Sequence, residues 1–109
     1  MEKFEILLQR IEKFNKDRDW DKFHNPGNLA KSISIESGEL LECFQWNDAE
    51  FDLQATIEEL ADVMIYCIQM AQVLKVDVID IINHKISLTE KKYPIEKSRG
   101  ISTKYNKLK

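Results

Sequence analysis

Ile57-Glu58-Glu59-Leu60-Ala61-Asp62-Val63-Met64-Ile65-Tyr66-Cys67-Ile68-Gln69-Met70-Ala71 is the stretch on which the fold turns. Ile57, Leu60, Ala61, Met64, Ile65, Ile68 and Ala71 recur at intervals of three and four, the period of one helix face. Val63 and Cys67 carry apolar surface around more of the circumference. A helix greasy on several sides sits at the centre of a bundle or at a subunit interface. Asp48 is a candidate cap for this third helix, which extends to about Lys75. Working toward the N-terminus, Asn28 can cap a second helix with the apolar line Leu29, Ile33, Leu40, Leu41 and Phe44, running to about Trp46. Before it, Trp20 to Gly27 reads as a loop, because Pro26 and Gly27 punctuate together. The first helix carries Phe4, Leu7, Leu8, Ile11 and Phe14 and is expected to end before the polar cluster Asn15–Asp19. Toward the C-terminus, Asp77 can cap a fourth helix that turns Val78, Ile81, Ile82, Ile86 and Leu88 inward. Tyr93-Pro94 should end it, since proline disfavours helical backbone in the residue before it. From about residue 95 the chain is a polar, basic tail. The expectation is one all-α domain over residues 1–109, an antiparallel bundle of about four helices with short loops.

Composition agrees. A chain of 109 residues has room for one core. Three glycines and two prolines are too few for a turn-rich β sandwich. The formal net charge of −3 hides an asymmetry. Residues 1–84 hold 8 basic and 17 acidic side chains, whereas residues 85–109 hold 8 basic and 2 acidic ones. An acidic body beside a basic end can place cations and a polyanion together. The same acidic body would repel a nucleic-acid backbone, which argues against nucleic acid as a partner. Cys43 and Cys67 form no C-x-x-C motif and read as free thiols in a reducing compartment. No signal-peptide pattern opens the chain, and the longest apolar run, Val63 to Ile68, is far short of a bilayer span. A cytoplasmic protein with no membrane partner is expected.

Four acids form a pattern of their own. Glu36-Ser37-Gly38-Glu39 lies in the second helix and Glu59-Leu60-Ala61-Asp62 in the third. Residues three apart on a helix are neighbours, so each pair repels itself by roughly 0.2–0.5 kcal/mol. Gly38 within a helix costs about 1 kcal/mol more against alanine, and its small size would let a ligand or another segment approach. If the two pairs face each other, four carboxylates converge and need cations. An all-oxygen set suits Mg²⁺, or Mn²⁺, rather than zinc, and magnesium pairs naturally with phosphates. The other reading of the acids is a solvated face, or pairing with lysines of a neighbouring helix. Trp46 lies seven residues beyond Glu39, which on a continuous helix is the same face at about 10 Å. That is about the distance from a metal-bound phosphate to the base of a nucleotide. Tyr66 follows Asp62 by four. Trp46 and Trp20 are either base-stacking side chains or ordinary packing. Lys85, Lys92, Arg99 and Lys104 can supply counter-charge to a polyphosphate or belong to a solvated tail. His24 lies in the loop beside Trp20, where a surface role is the plainer reading.

Arg18-Asp19-Trp20-Asp21-Lys22-Phe23-His24-Asn25-Pro26-Gly27-Asn28-Leu29-Ala30 resembles the R-D-W-x-x-F-H-x-P-R-N-L-A segment of MazG-like nucleotide pyrophosphohydrolases, especially their dCTP pyrophosphatase branch. Glu36/Glu39 followed by Glu59/Asp62 looks like that family's metal motif. Phe44-Gln45-Trp46, Asp62-Val63-Met64-Ile65-Tyr66 and Lys91-Lys92-Tyr93-Pro94 match as well, in order, over about residues 10 to 105. The resemblance implies an all-α enzyme that cuts a nucleoside triphosphate, dCTP-like by preference, between its α and β phosphates. Glu36, Glu39, Glu59 and Asp62 would hold Mg²⁺, with Glu36 or Glu39 as general base. Trp20, Trp46 and Tyr66 would form the base pocket, His24 would be a further substrate-binding residue, and Lys85 and Tyr93 would lie near the substrate. It also implies a homodimer or homotetramer with sites at subunit junctions. Gly27 departs from the family's arginine and Thr89 from its asparagine, which bears on base or sugar selectivity because threonine lacks the two-way amide. The connection between the second and third helices is also shorter than in many relatives. A non-catalytic helical binding or regulatory module is the alternative. Phosphoribosyl-ATP pyrophosphohydrolases share the helical plan but fit the W-x-x-F-H segment poorly.

Overall fold

The computed structural model of the chain describes residues 2–107. Residue 1 and the last two residues of the basic tail lie outside the described residues. Five α-helices follow one another, with no strand among the described residues: α1 Lys3–Asp17, α2 Pro26–Glu42, α3 Leu53–Leu74, α4 Val78–Lys92 and the short α5 Ile95–Ser98. Clustering of contacts divides the chain into two compact units, Met1–Lys75 and Val76–Lys109.

In the first unit α3 packs against both α2 and α1. Glu36 lies six residues before the end of α2, and its neighbour Glu59 six residues after the start of α3, so the two helices form an antiparallel hairpin. The Gln69 side chain meets Asn15, and that of Gln72 donates to the carbonyl of Leu8 at 3.1 Å. Those two pairs run in opposite senses, so α1 is antiparallel to α3 too.

Helix ends differ from the sequence reading in four places, each for a local reason. α1 continues through Asn15 to Asp17, because the Asn15 side chain turns inward to Gln69 rather than terminating the helix. Asn25, not Asn28, caps α2: its Oδ1 accepts from the Asn28 amide at 2.8 Å, and Pro26 fills the first helical position, where no amide is needed. Asn28 instead donates from its side chain to the Phe23 carbonyl at 3.0 Å, tying down the single 3-10 turn Asp21–Phe23. α2 stops at Glu42 rather than Trp46; the amides of Cys43, Phe44 and Gln45 each bond three residues back, which tightens the chain out of the helix, and Phe44 packs on Phe51 with ring centroids 4.7 Å apart. Asp52, not Asp48, caps α3, accepting from the Ala55 amide at 3.1 Å. The left-handed Lys75 ends α3 and Asp77 caps α4, as expected for the latter.

Little of the apolar surface is covered. Ile11, Leu29 and Ala71 are the buried hydrophobic residues among those described. Ile57, Leu60 and Met64 of α3 stay about half exposed, as do Ile81, Ile82 and Ile86 of α4. The expected inward stripes are therefore apolar faces that one copy of the chain leaves open. Leu29, 1% exposed, anchors α2, and Leu29→Ala is expected to cost about 3 kcal/mol in chemical denaturation.

Candidate active site

The α2–α3 hairpin brings the acids together. Glu36, Glu59 and Asp62 each offer a carboxylate oxygen, and the three oxygens lie within 4.8 Å of one another. Glu36 and Glu59 are half-buried, Asp62 exposed. The Glu39 carboxyl adjoins both Glu36 and Glu59, close enough to share a proton with either. With every carboxyl ionised, Glu36 Oε2 and Glu59 Oε2 are buried atoms with no hydrogen-bond partner. No lysine or arginine ion pair reaches the cluster among the described residues, where the pairs are Lys13–Asp17 and Lys22–Asp19. The solvated-face reading does not describe such a group. An all-oxygen, uncompensated cluster is what a hard divalent cation takes, and ligands on opposite sides of Mg²⁺ lie about 4.2 Å apart, so a small side-chain adjustment closes the set.

Electrostatics record the crowding. The Glu36 carboxyl is pushed up to about 7, first by its contact with the Glu39 carboxyl, then by lost hydration and the charges of Glu39, Asp62 and Glu59. Glu59 is raised as well, by lost hydration first and then by Glu39, Asp62 and Glu58. In the metal-free protein the folded state therefore holds a proton at pH values where the unfolded chain, ionising near 4.5, has lost it. The contribution of this carboxyl to stability therefore falls as pH rises from about 4.5 through about 7 and levels off above. Thermal melts in EDTA from pH 5 to 8 check this; a melting temperature that climbs across that window contradicts the cluster.

Beside the acids lies a cleft of about 180 Å³ lined by Trp20, His24, Asp62 and Tyr66, with Phe14, Asn15, Ile65 and Gln69. Asp62 belongs to both the carboxylate group and the cleft wall. Trp20 meets Phe14 edge to face at 5.6 Å, and Arg18 stacks on Phe14 with its guanidinium carbon 3.8 Å from the ring centre. The loop that carries Trp20 is pinned where its amide donates to the Asn15 carbonyl at 3.0 Å, after Asp19 has turned through a left-handed φ of 55°.

Trp46 is not in this cleft. Past the end of α2 it is 89% exposed, so the seven-residue offset from Glu39 does not hold. Gly38 faces open space, and an added Cβ there would meet nothing within 4 Å. Lys85 and Tyr93 belong to the second unit, where they line a broad apolar cavity of about 570 Å³ with Ile81, Ile82, Ile86, Thr89 and Glu90. Asn15 and Gln69 were not singled out by sequence. The signal was present for Gln69: it lies seven residues after Asp62 and three after Tyr66, on the same helix face, and is polar amid an apolar stripe.

The described residues form helices and no strand, with a carboxylate cluster of the kind a hard divalent cation takes and an aromatic cleft that shares one of its acids. Residues 31–108 match the MazG-like family, and the chain belongs to that family. It is similar to dCTP pyrophosphatase 1 of Rattus norvegicus, 39% identical, and of Homo sapiens, 38% identical, each over 87% of this chain and 61% of the relative. The chain thus spans about three fifths of the length of the curated relatives it matches. The crystal structure of a pyrophosphatase from Archaeoglobus fulgidus superposes with a TM-score of 0.77 at 36% identity, covering 86% of this chain and 94% of that one. No helix among the described residues is long and apolar enough to cross a membrane.

Proposed function

We propose that the chain is a nucleoside triphosphate pyrophosphohydrolase, dCTP-like in preference, that works with Mg²⁺ or Mn²⁺ and yields the monophosphate and pyrophosphate. The observation that carries this reading is Asp62, which joins the carboxylate cluster to the aromatic cleft. A triphosphate held at the cluster has its base end beside Trp20, His24 and Tyr66. The similarity to proteins named dCTP pyrophosphatase 1 supports the same substrate class.

Glu36, Glu39, Glu59 and Asp62 would hold the metal, which supplies charge neutralisation for the triphosphate and for the acids themselves. Water attacks the α phosphorus, the bond from that phosphorus to the α–β bridging oxygen breaks, and pyrophosphate leaves. Glu36 or Glu39 takes the proton of the attacking water. Trp20 and Tyr66 present aromatic surface to a base, and the exposed Trp46 has ring surface free to add to it. Lys85 and Tyr93, which belong to the second unit, are candidate substrate contacts in this reading.

The working form is a homodimer or homotetramer in which the chain acts as one functional domain in the cytoplasm. The half-exposed isoleucines of α4 and the open side of α3 support association, because such stripes are the kind of surface that subunit interfaces cover.

A panel of common and modified nucleoside triphosphates with Mg²⁺, scored for monophosphate and pyrophosphate, tests the activity. The expected product pair is equimolar, with dCTP among the best substrates; release of inorganic phosphate instead rejects the α–β cut. Mg²⁺ should also raise the melting temperature, since a ligand of the folded state alone stabilises it. Protection by Mg²⁺ without any hydrolysis would leave the non-catalytic binding module in its place.

A further inference from the structure

Asn15 and Gln69 form an amide pair between α1 and α3. They are 5% and 6% exposed, and the Gln69 Nε2 donates to Asn15 Oδ1 at 3.3 Å. The other end of the glutamine is unserved: Gln69 Oε1 is buried with no hydrogen-bond partner. A buried acceptor left unpaired costs stability, and an apolar pair of the same shape would hold two helices together without that cost. Packing therefore does not account for an amide here.

Position does. Gln69 forms part of the wall of the cleft of about 180 Å³ that also contains Trp20, His24, Tyr66 and Asp62. That volume is below the range of roughly 300–1,000 Å³ that encloses a whole small-molecule ligand, so the cleft takes only part of one. Asp62 ties the cleft to the carboxylate cluster, which leaves the base as the part that enters. Asn15, the partner that orients the Gln69 amide, also accepts through its backbone carbonyl from the Trp20 amide at 3.0 Å. Asn15 thus holds two residues of the same cleft wall, Trp20 through its backbone and Gln69 through its side chain.

We propose that Gln69 is a specificity-determining residue whose side-chain carbonyl accepts a hydrogen bond from the exocyclic amino group of the substrate base, with Asn15 as its positioning residue. The inference rests on the nucleotide reading above and adds to it the base chemistry that is recognised. Cytosine presents an amino donor at its 4-position, whereas uracil and thymine present an oxygen there. An oxygen set against Gln69 Oε1 puts two acceptors face to face, so 4-keto pyrimidines are rejected.

The test uses the full chain and three triphosphates: dCTP, dUTP, and the deoxynucleoside triphosphate of 2-pyrimidinone, which lacks any group at the 4-position. With the unaltered protein, kcat/KM for dCTP should exceed that for the pyrimidinone about tenfold, the size of one neutral hydrogen bond, and the difference should lie in KM. Gln69→Leu and Gln69→Ala should each bring that ratio close to one. The proposal is overturned by a ratio near one in the unaltered protein, a measurement that needs no variant. It is overturned equally by variants that lower both substrates alike and keep the ratio, which would assign Gln69 to packing or to a buried water. A preference for dUTP over dCTP would overturn it as well, since it would require the amide N–H rather than the carbonyl to face the base. Failure to hydrolyse any triphosphate would remove the underlying function; hydrolysis without amino discrimination would remove only this inference.

Discussion

Glu59→Gln is expected to lower turnover at least about 100-fold while raising the melting temperature of the metal-free protein at pH 8. The two effects have one cause. Glu59 stands in a group whose carboxylate oxygens lie within 4.8 Å, two of them buried without a donor, and like charges at that range repel. Exchanging one carboxylate for an amide of the same shape removes repulsion and supplies an N–H to its neighbours. The same exchange removes a ligand oxygen. Losing a group that merely supports a metal ligand typically costs 10–100-fold, so losing a ligand costs more. Glu39→Gln should behave alike in turnover, because Glu39 adjoins both Glu36 and Glu59. Pyrophosphate release and thermal melts in EDTA are the paired measurements. A variant that releases pyrophosphate at a near-normal rate would end the metal assignment; one that is less stable without metal would contradict the crowding.

If the proposed assembly forms through α4, paired Ile82→Asp and Ile86→Asp substitutions are expected to reduce it to a monomer and to abolish activity at micromolar concentration. α4 is a 15-residue helix, a length at which helices in water depend on packing rather than on propensity. Ile79, Ile82 and Ile86 are each about half exposed and lie three and four residues apart, a continuous apolar stripe. Burying such side chains gains roughly 1.5–3 kcal/mol each, and aspartate placed there must give up its hydration instead. Light scattering or sedimentation checks the mass against multiples of 12.8 kDa. A unit mass for the unaltered chain at every concentration tested would remove the assembly from the proposal.

Much of this protein is local and therefore readable along the chain. The i, i+3 spacing of Glu36 with Glu39 and of Glu59 with Asp62 places each pair on one helix face without reference to anything else. Asp77 and the Tyr93-Pro94 boundary of α4 are equally local, because caps and proline act on their immediate neighbours. The misread boundaries are those where a distant contact or a competing cap decides. Asn15 looks like a helix breaker, yet its side chain is held by Gln69, 54 residues away. The seven-residue spacing from Glu39 to Trp46 promises a shared face, but α2 tightens into a turn and Phe44 packs on Phe51 across the connection.

The four long helices and the acids that share a face are legible along the chain, because hydrogen bonds and side-chain period within a helix involve residues no more than four apart. Packing between helices is what brings Glu36, Glu59 and Asp62 together, sets Trp20, His24 and Tyr66 around one cleft with Trp46 outside it, and makes Gln69 part of the cleft wall. Those are statements about the register of one helix against another, set by packing that no short-range pattern encodes.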